Sequence, residues 1–444
     1  MGSGSEGNYE FFRDVFPGDR PPRIVVSGGG GNYDAWLTDT TLRDGQQGWR
    51  TLTVTEALQL YKVLVELAEG GTILSTELFP YTHRDREIVR EVLKVGAEYP
   101  KPIGWIRSRR EDVRLAKEAG LNEVVMLASI SDYHIAYKFR LSRADVFAKY
   151  LEAIRYAYEQ GLTVRVTLED ATRADLEGAV LPFLRKVQAL AESFGEELRV
   201  KIADTLGLGL PFPEVPPPRG IPQLVRAVVN ELNLKPRQLE FHGHNDLGLV
   251  VANHLAAWMH GAGLSNCTLF GIGERSGNCP LEIMMVHYVG LTGRNANLKA
   301  VKKAASIVRD MGFEIPEFYP LVGSNAFRTK AGIHVDGLMK NPEVYLPFDP
   351  IKVLGIPYTV AITPYSGRSA IALWMNRYVS PHTGVRYGKN DALVNKVYDE
   401  VVKLFEATGR RHPLTDEELW SIINKYIPNL PKEVQPAGEV EEIG

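Results

Sequence analysis

The stretch Gln238-Leu239-Glu240-Phe241-His242-Gly243-His244-Asn245-Asp246 places two histidines directly after a short, mostly apolar run. In an extended strand, residues two apart point to the same face of the sheet. We therefore expect the imidazoles of His242 and His244 to face a common point, where they could serve as two ligands of one divalent metal ion. The alternative is a pair of buried histidines that are satisfied by hydrogen bonds.

Seven other short apolar runs lead into polar residues in the same way, with helical patterns between them. The eight runs are 36–40, 72–79, 102–106, 123–128, 163–168, 198–203, 238–241 and 266–270. The helical patterns include 55–67, 85–95, 110–118, 143–160, 179–194, 221–234 and 247–260. Eight strand–helix units in about 260 residues are typical of a (β/α)₈ TIM barrel. A doubly wound open sheet is the alternative, but it usually has fewer strands.

We therefore predict an α/β fold in which a TIM barrel occupies residues 34–294 of the 444-residue chain. Residues 1–33 are polar and rich in glycine and proline, and we expect them to form an N-terminal arm. Residues 295–444 lack the strand–helix alternation, so they are predicted to form a smaller, mostly helical C-terminal domain. Its last stretch, 431–444, is acidic and is expected to fray.

The composition argues against several classes of function. Charged residues make up 24% of the chain and the formal net charge is −3, so bulk charge does not favour binding to nucleic acid or to an anionic membrane. The sequence has no apolar run of about 18 residues, the length that a membrane span needs. Cys267 and Cys279 are too few for a disulfide framework, which favours the reducing cytoplasm as the compartment.

The ends of other predicted strands also carry potential metal ligands, and in a barrel these ends meet at one face. Asp44 follows the first run and Asn278 follows the eighth. Together with His242 and His244 they could surround a divalent ion such as Mg²⁺, Mn²⁺, Co²⁺ or Zn²⁺ and leave positions open for substrate. The glycine-rich segment 271–277 beside Asn278 could form either an anion-binding loop or a tight turn.

Charged side chains near the predicted mouth suggest how a substrate could be handled. Arg43, next to Asp44, could stabilise an oxyanion on a substrate carbonyl, or it could form an ion pair with Glu77 or Asp204. Glu77 and Glu169 could act as bases, orient water or balance the charge of arginines. One or two arginines inside the mouth would select an anionic substrate. The arginines near the mouth are Arg84, Arg86, Arg107, Arg109, Arg110, Arg140, Arg143 and Arg173.

Four motifs resemble the signature of the isopropylmalate synthase and homocitrate synthase family. They are Asp39-Thr-Thr-Leu-Arg-Asp-Gly-Gln-Gln47, His242-Gly-His-Asn-Asp246, Gly273-Glu-Arg-Ser-Gly-Asn278 and Ala331-Gly-Ile-His334. The resemblance covers residues 36–370 and departs at Gln46, where the synthases usually have glutamate. Within the family the chain is most similar to the Re-type citrate synthases, as in Gly104-Trp-Ile-Arg107 and Glu169-Asp-Ala-Thr-Arg-Ala-Asp175.

The resemblance implies a divalent-metal-dependent acyltransferase that condenses acetyl-CoA with a 2-oxo acid in a Claisen-type reaction. The acceptor implied by the Re-type subgroup is oxaloacetate, and the product is citrate. The alternatives are 2-oxoglutarate, which gives homocitrate, and 2-oxoisovalerate, which gives isopropylmalate. Related barrels include acyl-CoA lyases and biotin-linked carboxyltransferases, and the latter need a carbamylated lysine, for which Lys201 is the nearest candidate. A non-catalytic metal-binding relative is a further alternative.

The resemblance also implies roles for individual residues. The implied catalytic residues are Arg43, Glu169 and His334. The implied substrate-binding residues are Gln47, Glu77, Arg107, Arg173 and Thr205. The implied metal ligands are Asp44, His242, His244 and Asn278. Glu169 and His334 are the candidates for the base that removes a methyl proton of acetyl-CoA. His334 lies outside the barrel repeat, and it would reach the barrel mouth from a C-terminal domain that is swapped between the subunits of a homodimer.

Overall fold

The computed structural model describes residues 34–430, so the predicted arm at 1–33 and the acidic end at 431–444 lie outside the described residues. Parallel strands pair in sequence order, and the last pairs with the first to close a barrel. The strands are β1 (Trp36–Asp39), β2 (Ile73–Leu78), β3 (Lys101–Arg107), β4 (Glu123–Ser129), β5 (Thr163–Glu169), β6 (Val200–Asp204), β7 (Leu239–Gly243) and β8 (Leu264–Cys267). The predicted TIM barrel is confirmed, and the alternative of an open sheet is wrong.

The position of the last strand differs from the prediction. The sequence predicted a strand at 266–270, whereas β8 begins at Leu264 and is followed by a helical turn at Leu269–Gly271. The polar side chains of Ser265 and Asn266 concealed its first half. Asn266 is nevertheless fully buried, because its amide hydrogen-bonds to side chains on both neighbouring strands. The strand was therefore predicted to start two residues too late, because polar residues lie at its centre.

Helices follow the strands and pack around the barrel. They are α1 (Val54–Leu67), α2 (His83–Val95), α3 (Arg110–Glu118), α4 (Arg143–Glu159), α5 (Leu181–Ser193), α6 (Ile221–Leu232), α7 (Val250–Met259), α8 (Leu281–Thr292) and α9 (Ala300–Asp310). Helix α1 begins at a capping box in which Thr53 and Glu56 bond to each other's backbone N–H groups. The predicted helix at 110–118 matches α3, and the bounds of the others agree within three residues.

The described chain divides into two compact units between Ile315 and Pro316. The first unit contains the barrel and α9, which packs against α1. The helices of the second unit are α10 (Gly332–Lys340), α11 (Arg368–Tyr378), α12 (Ala392–Thr408) and α13 (Asp416–Ile423), with shorter helices at Pro350–Leu354 and Ser380–Thr383. Two short parallel strands, β9 (Arg328–Thr329) and β10 (Thr359–Val360), complete it. Its core contains Trp374, which packs edge-on against Trp420.

The alternation of side chains along β7 separates a packing face from a functional face. Phe241 points outward and packs edge-on against His254 of α7, with 4.8 Å between the ring centroids. Glu240 points into the barrel, where it accepts hydrogen bonds from Thr38 and Arg165. His242 shares the inward face and lies at the C-terminal end of the strand.

Among residues 34–430, no helix is long and apolar enough to cross a bilayer.

Candidate metal centre and active site

Three potential metal ligands meet at the C-terminal ends of β1 and β7. Asp44 lies in the helical turn that follows β1, and His242 and His244 lie at the end of β7 and just beyond it. Nε2 of His242 is 3.5 Å from Oδ2 of Asp44, and Nε2 of His244 is 3.8 Å from the same oxygen. The two Nε2 atoms are 3.3 Å apart. The three ligand atoms therefore face one point, as the spacing of the two histidines on a strand implies.

The imidazole of His242 is oriented by Asn266 of the neighbouring strand β8. Nδ1 of His242 lies 2.8 Å from Oδ1 of Asn266, while the amide nitrogen of Asn266 donates to Thr38 at 2.9 Å. This network assigns the proton of the imidazole to Nδ1. Nε2 then presents its lone pair toward Asp44, which is the tautomer that a metal ligand needs. Asn266 was not among the predicted site residues; its only signal in the sequence is a polar residue within a buried run.

The donor set fits a divalent cation. Nδ2 of Asn278 donates to Oδ2 of Asp44 at 2.8 Å, so Asn278 reaches the centre through its amide nitrogen. Its Oδ1 atom is buried and has no hydrogen-bond partner among the described residues, and the same is true of Nδ1 of His244. A buried amide oxygen without a donor is costly unless a cation or a water satisfies it. One carboxylate and two imidazoles are suitable ligands for Mn²⁺, Co²⁺ or Zn²⁺. Asn278, predicted as a further ligand, presents an amide N–H to Asp44, which donates and cannot ligate a metal.

The electrostatics of the centre keep these ligands in their metal-binding protonation states. Burial alone would raise the pKa of Asp44, but Arg43 and the two imidazoles hold it well below its usual range. Burial lowers the pKa of His242, and His244 lowers it further. The pKa of His244 is also lowered by burial. At neutral pH the centre therefore contains a carboxylate and two neutral imidazoles.

The guanidinium of Arg43 is fixed beside the three ligands. Its Nη1 atom lies 3.1 Å from Asp44, and its Nε and Nη2 atoms donate to Oε2 of Glu77 at 3.2 and 3.1 Å. The ring of Trp105, which was not among the predicted site residues, lies 4.8 Å from the guanidinium carbon. Of the two partners that we considered for Arg43, the structure pairs it with Glu77, because Asp204 instead accepts a hydrogen bond from Thr172.

Glu77 is enclosed below the centre. Its carboxylate accepts hydrogen bonds from Arg43, Lys201 and Thr40, and its side chain is 1% exposed. Burial would raise its pKa, but Lys201 and Arg43 hold it well below the usual range. This environment favours charge balance as the role of Glu77. The ammonium of Lys201 pairs with Glu77 and Glu240, so Lys201 lacks the environment that a carbamylated lysine would need.

Glu169 lies at the end of β5 among several donors. It accepts a hydrogen bond from Ser129, Lys138 lies 2.8 Å from both of its oxygens, and Nδ1 of His134 is 3.0 Å from Oε2. Burial would raise the pKa of Glu169, but His134 and Lys138 lower it to about 2. His134 and Lys138 were absent from the predicted site. The sequence feature that could have identified them is their position in the segment after β4, since the other candidate residues also follow strands.

Two predicted substrate arginines are ion-paired in the structure. Nε of Arg107 donates to Asp112 at 2.7 Å, and Nη2 of Arg173 donates to Asp170 at 2.8 Å. The hydroxyl of Thr205 accepts a hydrogen bond from the backbone N–H of Asp170 at 2.8 Å. Thr205 thus binds the backbone of Asp170 and Arg173 binds its carboxylate, near the ends of β5 and β6. Arg107 lies at the end of β3, where its side chain is half-exposed.

The loops after β1 and β8 touch through glycines. A Cβ atom on Gly48 would lie 1.9 Å from the carbonyl carbon of Gly273, so only glycine fits this contact. Gln47, beside Gly48, is exposed. Gly277 has a φ of +90°, and a Cβ atom there would lie 2.2 Å from the carbonyl oxygen of Gly271. These constraints favour the tight turn over the anion-binding loop for the segment 271–277.

In the second unit, the ring of His334 on α10 packs against that of Tyr345, with 4.6 Å between the ring centroids.

Comparison with known proteins gives matches along most of the chain. A family model described as HMGL-like matches residues 35–308, and one described as Homocitrate synthase post-HMGL domain-like matches residues 321–404. Citrate (Re)-synthase of Clostridium kluyveri is 36% identical over 428 residues, which cover 95% of this chain and 94% of that protein. 2-Phosphinomethylmalate synthase of Streptomyces hygroscopicus is 37% identical over 430 residues, which cover 94% of this chain and 96% of that protein.

A solved structure supports the fold. The crystal structure of hydroxymethylglutaryl-CoA lyase from Pseudomonas aeruginosa superimposes with a TM-score of 0.51 at 16% identity. The match covers 64% of this chain and 94% of that chain. At this level of identity the likeness concerns the fold alone.

Proposed function

The chain belongs to the HMGL-like family, in the group of the isopropylmalate and homocitrate synthases, and from this we propose that it is a divalent-metal-dependent acyltransferase that condenses acetyl-CoA with a 2-oxo acid. The observation that carries the proposal is the convergence of Asp44, His242 and His244 beside the guanidinium of Arg43. A divalent ion held by these three ligands would supply Lewis-acid polarisation of a substrate carbonyl.

We propose oxaloacetate as the acceptor and citrate as the product. The similarity to Citrate (Re)-synthase over nearly the whole chain supports this choice. An acceptor with a second carboxylate also needs a cation at the barrel mouth, and Arg173 offers one: its side chain is 27% exposed, and its guanidinium lies over the ring of Tyr133. An aliphatic acceptor such as 2-oxoisovalerate would need an apolar pocket there instead.

The groups around the centre suit the charge changes of the condensation. A methyl proton leaves acetyl-CoA, the resulting enolate carbon attacks the keto carbon of the acceptor, and negative charge develops on the keto oxygen. Arg43 stabilises that charge, since its guanidinium is pre-oriented by Glu77 and Trp105 in a nearly dry site. Water then cleaves the thioester, which releases free coenzyme A and citrate.

For the base that removes the methyl proton, we propose His334. Glu169 is the other candidate, but a carboxylate with a pKa of about 2 is a weak base at neutral pH. Its contacts with Lys138 and His134 favour a role in holding these two side chains in place. We further propose that the enzyme is a homodimer with swapped C-terminal domains, in which the partner's His334 serves each barrel. A His334→Ala variant should therefore lose turnover but retain Mn²⁺ binding.

The experiment that tests the proposal is an acceptor panel. The purified chain is mixed with acetyl-CoA, Mn²⁺ and one of three acceptors, and the release of free thiol is followed. We expect the fastest release with oxaloacetate, no release without an acceptor, and no release after EDTA. A faster reaction with 2-oxoglutarate or 2-oxoisovalerate would contradict citrate as the product, and the absence of release with all three would contradict the condensation.

A further inference from the structure

A continuous series of alternating charges runs through the interior of the barrel to the metal centre; we call it the charge line. Its members, from the N-terminal ends of the strands upward, are Arg199, Glu123, Arg165, Glu240, Lys201, Glu77, Arg43 and Asp44. The shortest nitrogen–oxygen distances are 3.0 Å for Arg199–Glu123, Arg165–Glu123 and Arg165–Glu240, 3.3 Å for Lys201–Glu240, and 3.1 Å for Arg43–Glu77 and Arg43–Asp44. Lys201 and Glu77 form the remaining ion pair.

Lys201 links the two halves of this line. It extends from β6 into the barrel and pairs with Glu77 from β2 and Glu240 from β7. The side chains of all three residues are at most 1% exposed. Removing three charges from water is costly, and well-packed apolar side chains often give equal or better stability at such positions. Stability is therefore a weak explanation for an ammonium at this position.

The orientation of Arg43 depends on the position of the Glu77 carboxylate. Oε2 of Glu77 accepts two hydrogen bonds from the guanidinium of Arg43 and one from Thr40. Oε1 of Glu77 is held by Lys201, and Asn266 approaches it at 3.4 Å. One oxygen of the carboxylate is thus bound to Arg43 while the other is bound to Lys201. A change at Lys201 is transmitted to the guanidinium through a single rigid group.

We propose that Lys201 is a positioning residue for Arg43 that acts through Glu77. The ammonium takes up part of the charge of Glu77, so that the carboxylate orients the guanidinium without neutralising it fully. Without Lys201, Arg43 becomes the sole cation in contact with Glu77. The guanidinium is then drawn toward that carboxylate and offers less positive charge to a keto oxygen above it. This inference rests on the proposed function, in which Arg43 faces that oxygen.

The first test compares Lys201→Met with Arg165→Met. Arg165 is a matched control, because it is a buried cation of the same charge line that pairs with Glu240 and Glu123 but not with Glu77. We expect both variants to unfold at a lower temperature. We expect Lys201→Met to lower kcat about 100-fold, as small misplacements of catalytic groups do, with the KM for acetyl-CoA unchanged. Arg165→Met should keep kcat within about threefold of the wild type, and equal losses in the two variants would contradict the proposal.

A second variant separates positioning from charge balance. In Lys201→Met/Glu240→Gln, the loss of the Glu240 charge offsets the loss of the Lys201 charge, and Arg165 still pairs with Glu123. Arg43 remains the only cation in contact with Glu77. We expect the unfolding temperature to recover and kcat to stay low. This variant also serves if Lys201→Met fails to fold. Recovery of kcat together with stability would show that Lys201 only balances buried charge, and the proposal would be wrong.

Binding measurements without turnover distinguish this proposal from the proposed function. Calorimetry with Mn²⁺ and then oxalate, a stable dicarboxylate that resembles the reacting end of a 2-oxo acid, needs no acetyl-CoA. We expect at least tenfold weaker oxalate binding to the Mn²⁺-loaded Lys201 variants. Oxalate binding as tight as in the wild type would contradict an action through Arg43. If the wild type releases no thiol with any acceptor, the condensation is wrong, but the oxalate result still decides the role of Lys201.

Discussion

Oδ1 of Asn266 lies 2.8 Å from Nδ1 of His242, so a side chain of β8 orients the imidazole of a β7 histidine with Nε2 toward the candidate metal centre. The amide nitrogen of Asn266 is held on the other side by Thr38 of β1. Side chains from the three adjacent strands β1, β8 and β7 therefore orient the lone pair on Nε2 of His242. Such outer contacts typically change metal affinity 10–100-fold when they are removed.

Asn266→Ala should weaken Mn²⁺ binding by about 10–100-fold, because the imidazole of His242 loses the acceptor that fixes its tautomer. Asn253→Ala is the matched control, since Asn253 is an equally buried amide that donates to the carbonyl of Gly209 on the outside of the barrel. Both variants should be less stable in thermal unfolding. Calorimetric titration with Mn²⁺ should show a loss of affinity in the Asn266 variant only. Equal affinities would mean that Asn266 does not orient the ligand.

Arg43→Lys should lower kcat about 100–1000-fold, although the charge is conserved. A lysine cannot donate two hydrogen bonds to Oε2 of Glu77 and also form an ion pair with Asp44 from one rigid plane, as Arg43 does. Steady-state kinetics with acetyl-CoA and oxaloacetate measure this loss. Arg50→Lys, which changes an arginine paired with Glu56 outside the centre, should behave like the wild type. A kcat within threefold of the wild type in Arg43→Lys would contradict the role of the guanidinium.

Asp39→Asn should stabilise the fold at neutral pH. Asp39 is fully buried, and burial raises its pKa to about 6 from the usual 3.8, even though Thr41 and Thr76 donate to it. The folded state therefore favours the protonated form, which contributes stability below pH 3.8 that is lost as the pH rises through 6. At pH 7 the amide should raise the free energy of unfolding by up to about 3 kcal/mol, at about 1.4 kcal/mol per pKa unit.

Denaturant unfolding of the Asp39 variant at several pH values checks this sign. The gain should be largest at pH 7 to 8, should shrink as the pH falls from about 6 to about 4, and should be absent below that, where the carboxyl is protonated in both states. Asp399→Asn, an exposed position on α12, should leave the free energy of unfolding unchanged at every pH. A destabilised Asp39→Asn protein at pH 7 would show that the ionised carboxylate is the better partner of the two threonines.

Much of the barrel could be predicted because parallel strands are buried on both faces and therefore appear as nearly continuous apolar runs. β4 is an example, since its observed span, Glu123–Ser129, exceeds the predicted run by one residue. β8 could not be placed in the same way, because Ser265 and Asn266 interrupt its apolar pattern. In β8, hydrogen bonds to the two neighbouring strands bury the polar side chain of Asn266, which the apolar pattern of the sequence would not place inside a strand.

The convergence of Asp44, His242 and His244 could be predicted because these residues lie at or beyond strand ends, and the strand ends of a barrel meet in space. The contacts that orient these three side chains and Arg43 could not be predicted. Trp105 lies over Arg43 and Lys201 pairs with Glu77 only because of the register between strands, which a single sequence does not specify. His134 was also missed; it lies in the short helix Asp132–His134, in the loop after β4.

Anomalous diffraction from crystals grown with Mn²⁺ tests the central claim most directly. We predict one strong manganese peak per chain, bounded by the carboxylate of Asp44 and the Nε2 atoms of His242 and His244. Crystals of His242→Ala grown in the same way should lack it. A peak at another position, or a peak of equal height in the variant, would contradict the metal centre on which the proposed condensation depends.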